Sequence, residues 1–200
     1  MTTTRRGLLC VIALTALSLG VAGAQDQPAM TPEQAAMMEA WQKAMTPGPQ
    51  HAMLAKMAGE FTLEVKSWMT PGAEPEVSTA HSSRRMILGG HYLEETVKGS
   101  TMGQEFEGRA LTGYDNVSGT WFSTWVDSMS TGIMTSTGEW DLATGVGTFH
   151  GEYNDPMTGA VQKSRTVIHL LEGGGEKMES YMLNDSGEFK SMEIVYTPTR

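Results

Sequence analysis

The chain has 200 residues, a length suited to one domain, and 23 acidic residues against 14 basic ones give a formal net charge of −9. That balance, with no Lys/Arg cluster anywhere, argues against tracking a phosphate backbone or an anionic membrane surface. The single cysteine, Cys10, rules out an internal disulfide.

The N-terminus has its own logic. Arg5 and Arg6 precede an apolar run from Leu8 to Val21, and Ala22-Gly23-Ala24 then supplies small residues where a signal peptidase cuts. The run is shorter than the roughly 20 apolar residues a bilayer span needs. Residues 1–24 therefore read as a cleaved signal peptide, and no integral membrane segment is expected after cleavage. The paired arginines fit a twin-arginine signal and an ordinary one alike. Gln25, not cysteine, stands at the cleavage point, so no lipid anchor is expected. Removing the signal leaves a chain without a thiol, and hence without a thiolate metal ligand or a cysteine nucleophile. It also leaves 12 basic residues against 23 acidic ones, a net charge of −11. The expected location is periplasmic or secreted.

Residues 25–58 read as a leader followed by short Met-rich helices. Thr31-Pro32-Glu33-Gln34 has the form of a helix start, with Thr31 at the cap, Pro32 first in the helix and Gln34 reaching back. Met37, Met38, Trp41, Ala44 and Met45 recur at helical spacing and suggest one apolar stripe. Thr46-Pro47-Gly48-Pro49 ends that helix. A second one, over about 50–58, carries Met53, Leu54 and Met57 on one side and stops at Gly59.

From Phe61 the period switches to two: Phe61, Leu63 and Val65 alternate with Thr62, Glu64 and Lys66. A long strand is expected over 76–88, bent or broken at Gly89-Gly90 and resuming at 92–97. Further strands are expected over 104–114, 120–127, 131–141, 146–153, 161–171, 176–183 and 187–197, separated by Gly-, Asn- and Asp-rich turns. The loops are too short for parallel crossovers, so the strands should pair antiparallel with their sequence neighbours. Closing such a meander removes its exposed edges. The expected fold is mainly β: an up-and-down barrel of about 9–10 strands over residues 59–198, with one or two N-terminal helices. A two-sheet sandwich is the alternative.

Four stretches carry a resemblance: Ile87-Leu88-Gly89-Gly90-His91-Tyr92-Leu93, Gly113-Tyr114-Asp115-Asn116 with Gly119, Trp125-Val126-Asp127-Ser128-Met129-Ser130-Thr131-Gly132, and Met192-Glu193-Ile194-Val195-Tyr196-Thr197. Together they resemble the bacterial family known as domain of unknown function 1579, over about residues 50–198. The resemblance implies a calycin-like barrel, similar in shape to lipocalins and to nitrobindin-like haem barrels. It implies no activity.

The candidate ligand-binding residues are Trp121, Trp125, Asp127, Arg84, Arg85 and Tyr114. On the 120–127 strand, Trp121, Ser123, Trp125 and Asp127 share one face. They either line a cavity or serve as core filler, and core filler is the commoner meaning of such aromatics. Arg84 and Arg85 fall on opposite faces of the long strand, so one of them points inward and needs a partner; Asp127 or Glu94 would serve. Such an inward pair is either an anion grip or an internal salt bridge.

Among five histidines, His150 or His169 would be the axial candidate for haem, but no attachment motif accompanies them. Met37, Met38, Met45, Met53 and Met57 beside His51 could suggest copper, yet their spacing is that of a helix stripe. No cofactor is expected. Gly145-Val146-Gly147 is no dinucleotide fingerprint, and no hydrolase elbow is present.

The reading that results is an exported protein holding a small, partly apolar ligand in a β-barrel. The alternatives are an enzyme acting on such a ligand, and a structural or partner-binding domain with a filled core.

Overall fold

The structure, a computed structural model, describes residues 30–101, 103–155, 158–184 and 187–199. The reading of residues 1–24 as a signal peptide lies outside the described residues.

Helix α1 (Pro32–Met45) starts as its sequence suggests. Thr31 Oγ1 accepts from the Gln34 amide at 3.2 Å, and Gln34 Oε1 accepts from the Thr31 amide at 2.9 Å. Its apolar stripe stays largely open to solvent: no α1 residue is buried, and Met37, Met38, Trp41 and Met45 are each more than half exposed. The helix is tied down at its C-terminal end by polar contacts to its orphan carbonyls. Asn116 Nδ2 donates to the carbonyls of Lys43, Ala44 and Thr46 at 2.8–3.3 Å, and His91 Nε2 lies 2.8 Å from Met45 O.

Helix α2 (Pro49–Lys56) behaves oppositely, burying His51, Met53 and Leu54. His51 Nδ1 accepts from the Gly48 amide at 3.0 Å. Burial, and next the neighbouring His91, lowers the His51 pKa, which favours the neutral ring that this bond needs. Met53, Leu54 and Met57 join Leu93, Trp121, Trp140 and Phe149 in one apolar cluster. The second of the short helices expected before residue 59 thus packs into the barrel and plugs one end of it.

Ten strands follow: β1 (Gly59–Ser67), β2 (Glu76–Ile87), β3 (Tyr92–Thr101), β4 (Gln104–Asp115), β5 (Thr120–Asp127), β6 (Met134–Asp141), β7 (Val146–Asn154), β8 (Val161–Leu170), β9 (Glu176–Asn184) and β10 (Gly187–Pro198). Each pairs antiparallel with its sequence neighbours, and β1 pairs with β10 to close the barrel. The sandwich alternative is thereby excluded. Of the bend or break expected at Gly89-Gly90, the structure has the break, a complete hairpin turn with Leu88, Gly89 and Gly90 at φ of 49°, 72° and 88°. Two strand boundaries differ by three residues or more from the sequence expectation: β3 runs on to Thr101, past 97, and β6 starts at Met134, not at 131. β6 begins at Met134 because turn chemistry holds the preceding residues: Asp127 Oδ1 accepts from the Met129 amide at 2.9 Å, and Ser128 Oγ accepts from the Glu107 amide at 3.1 Å.

Period-two patterning sets the interior. In β1, Phe61 and Leu63 are buried while Thr62 and Glu64 are exposed. Two inward tryptophans lie across glycines of neighbouring strands. A Cβ on Gly108 would stand 2.3 Å from the Trp125 ring, and one on Gly147 would stand 2.9 Å from the Trp140 ring. Glycine lets each ring settle against the wall.

Candidate functional site

The barrel encloses a cavity of about 480 Å³, running from α2 and Trp140 at the plugged end to Ser67, Ser78 and Asp127 at the opposite rim. Its volume follows from side-chain size on one arc of the wall. Thr112, Ser123 and Ser136 line it, and their row continues in register through Gly151 and Ser164 across β4 to β8. Each is small. Thr112 and Ser123 hydroxyls lie 3.2 Å apart, and Ser136 Oγ donates to Ser123 O at 3.5 Å, so the row is largely self-satisfied. The facing arc is apolar, with Leu63, Val97, Met178 and Ile194 among its residues.

Into that arc is set a buried charged cluster. Arg84 Nη1 donates to Glu176 Oε2 at 2.7 Å and Nη2 donates to Glu176 Oε1 at 3.2 Å. Nε lies 3.1 Å from Glu95 Oε1, close enough for an ion pair but off the axis of a hydrogen bond. Ser82 Oγ donates to the same Glu95 oxygen at 2.5 Å. The guanidinium carbon sits 4.2 Å from the Tyr196 ring centroid and 5.2 Å from that of Phe61. Burial alone would disfavour the charged guanidinium, but the carboxylates of Glu176 and then Glu95 outweigh it and raise the Arg84 pKa well above its ordinary value. Burial, followed by the charge of Glu95, pushes the Tyr196 phenol well above the usual tyrosine range. The strut crosses the inner face of the β1–β10 seam, linking β2 and β3 on one side to β9 on the other.

The sequence-derived candidates divide. Trp125 and Asp127 line the cavity near the rim, with Trp125 stacked on Phe106 at 6.3 Å and 21°. Trp121 is buried in the apolar cluster at the plugged end, and Tyr114 packs edge-on against it at 5.1 Å. Both support the cavity floor. Arg84 is the inward arginine. Arg85 points outward, is 74% exposed and pairs with Glu94 at 2.6 Å, so it cannot reach a ligand in the barrel. Asp127 does not meet an arginine; it accepts from Trp125 Nε1 at 2.7 Å and from the Met129 amide. A tryptophan N–H two residues away supplied the donor that the acid needed.

His150 and His169 belong to the outward parity of β7 and β8, and no histidine is among the described residues lining the cavity. The methionines also separate, with Met37, Met38 and Met45 exposed on α1 while Met53 and Met57 are buried. Among the described residues no group of three or more His, Cys, Asp or Glu is placed to hold a metal ion.

Sequence reasoning missed Glu95, Glu176 and Trp140. Glu95 had a signal: once Gly89-Gly90 is a hairpin, Arg84 falls directly opposite Glu95 and Arg85 opposite Glu94. Glu176 is 92 residues from Arg84, and closure alone brings them together.

The family described as protein of unknown function (DUF1579) matches residues 46–198. The chain belongs to the DUF1579 family. That match begins after α1 and includes α2, which agrees with α2 being part of the DUF1579 barrel and α1 lying outside it. No curated protein matches significantly. The crystal structure of Rv2717c from M. tuberculosis is similar, with a TM-score of 0.55 and 10% identity over 78% of this chain and 100% of that one. At that identity the likeness shows the fold alone. No described helix is long and apolar enough to cross a membrane.

Proposed function

We propose that this protein binds a small, partly apolar molecule inside its barrel. The observation that carries the reading is the cavity of about 480 Å³, which falls in the range of small-molecule sites. Its mixture of apolar wall and few convergent polar groups supports the same reading. A domain whose barrel served only as scaffold would gain stability by filling that volume, since voids forfeit packing contacts. Native mass spectrometry of the protein recovered from its own compartment should reveal a bound small molecule.

Gly108→Val gives an independent check. The new side chain would drive the Trp125 ring off β4 and into the cavity. Binding of the neutral fluorophore N-phenyl-1-naphthylamine should weaken on the order of tenfold, a change of about 1.4 kcal/mol. An unchanged affinity would place the probe elsewhere.

We also propose that the chain is exported to the periplasm or secreted, on the strength of the Arg5-Arg6 start, the apolar run to Val21 and Ala22-Gly23-Ala24. N-terminal sequencing of the recovered protein should begin at or near Gln25. A full-length chain in the cytosol would refute this.

A further inference from the structure

The charge inside the barrel is unbalanced. Among the described residues lining the cavity, the charged ones are Arg84, Glu95, Asp127 and Glu176, so three carboxylates face one guanidinium. That guanidinium is already committed: both Nη atoms are on Glu176, Nε is beside Glu95, and the Tyr196 ring covers one face. An anionic ligand would lose its hydration, meet a surplus of negative charge in a low-dielectric space and find no free cation. The anion grip that an inward arginine suggests is therefore closed off.

A cation meets the reverse conditions. Near the rim, the stacked faces of Phe106 and Trp125 stand beside Asp127, and Asp127 Oδ2 accepts the Trp125 Nε1 proton at 2.7 Å. Accepting that proton makes the indole more electron-rich, and an aromatic face next to a carboxylate is a setting that attracts ammonium groups.

Resting on the ligand-binding reading above, we propose that the occupant is an organic cation. Its protonated or quaternary amine sits at the Phe106–Trp125–Asp127 level, and its apolar body fills the middle of the barrel. Deeper placement of the ammonium is disfavoured because Glu95 and Glu176 already share Arg84.

The test uses three probes of matched length on the purified protein, octyltrimethylammonium, octanol and octanoate, titrated below their aggregation concentrations and followed by tryptophan fluorescence and calorimetry. The cation should bind at least about tenfold more tightly than the alcohol, with octanoate weakest. Asp127→Asn keeps an oxygen to accept from Trp125 while removing the charge. It should weaken octyltrimethylammonium about tenfold and leave octanol unchanged, with a thermal melt confirming the fold. Octanol or octanoate binding as well as the cation overturns the charge inference and leaves ligand binding standing. Equal loss of cation and alcohol affinity in Asp127→Asn overturns the placement at the rim. Failure of all three probes removes the ligand-binding reading itself.

Discussion

Arg84→Met is expected to lower the stability of the folded chain by about 3–5 kcal/mol, measured by urea unfolding. The methionine fills much of the arginine's apolar volume, so the loss is mainly electrostatic. Arg84 and Glu176 side chains are each 4% exposed and Glu95 is 11% exposed. Without the guanidinium, the Ser82 hydroxyl is the one side-chain donor that the two buried carboxylates keep among the described residues. They must then either remain charged in a poor dielectric or take up protons, and both routes cost folding free energy. The loss should also be local. Because the strut spans the seam where β1 meets β10, amide exchange should rise first in those two strands. A triple variant, Arg84→Met with Glu95→Gln and Glu176→Gln, separates charge from packing. If uncompensated charge is the cause, the triple variant regains most of the loss. If it remains as unstable as Arg84→Met, the cluster contributes through shape.

That the cluster escaped sequence reasoning while the barrel did not follows from what each depends on. Strand existence rests on period-two burial, which Phe61, Leu63 and Val65 display without reference to any other part of the chain. Antiparallel order rests on loop length, equally local. Face sharing was also legible: Trp125 and Asp127 share a parity, and so do Ser82 and Arg84, although which of Arg84 and Arg85 turns inward was not. Partner choice is different. Asp127 and Arg84 are both inward, but they stand at different levels of the wall, and only register fixes level. Leaving Gly89-Gly90 as either a bend or a break left the register between β2 and β3 open, and with it the Arg84–Glu95 pairing. No local pattern could have supplied Glu176, whose place depends on closing ten strands. The outward methionines of α1 show the converse limit. A stripe at helical spacing reports that a helix forms, and it does not report what the helix packs against.

The contrast between the two helices yields the second large effect. Leu54→Ala is expected to cost about 2–5 kcal/mol, the usual range for truncating a fully buried leucine. Leu54 is 0% exposed and belongs to the cluster that joins α2 to Leu93, Trp121, Trp140 and Phe149. These aromatic rings are braced by one another, with Trp121 and Trp140 at 5.7 Å and Trp140 and Phe149 at 5.9 Å, so they cannot collapse readily into the space an alanine would leave. A site that relaxes poorly retains its void, and the retained void adds to the transfer loss. Trp41→Ala on α1 removes a larger side chain but one that is 61% exposed and outside any buried cluster, so it should change stability by no more than about 0.5 kcal/mol. Urea unfolding of the two variants side by side makes the comparison direct. If Leu54→Ala falls below 1 kcal/mol, α2 is not the plug of the barrel and the domain begins at β1. If Trp41→Ala matches Leu54→Ala, the α1 stripe packs against the domain in solution after all. Because the void would open beneath Trp140 and not at the rim, Leu54→Ala should also lengthen the cavity at its closed end. Longer apolar probes should then gain affinity over shorter ones relative to the parent protein, a change that a rim substitution such as Asp127→Asn would not produce.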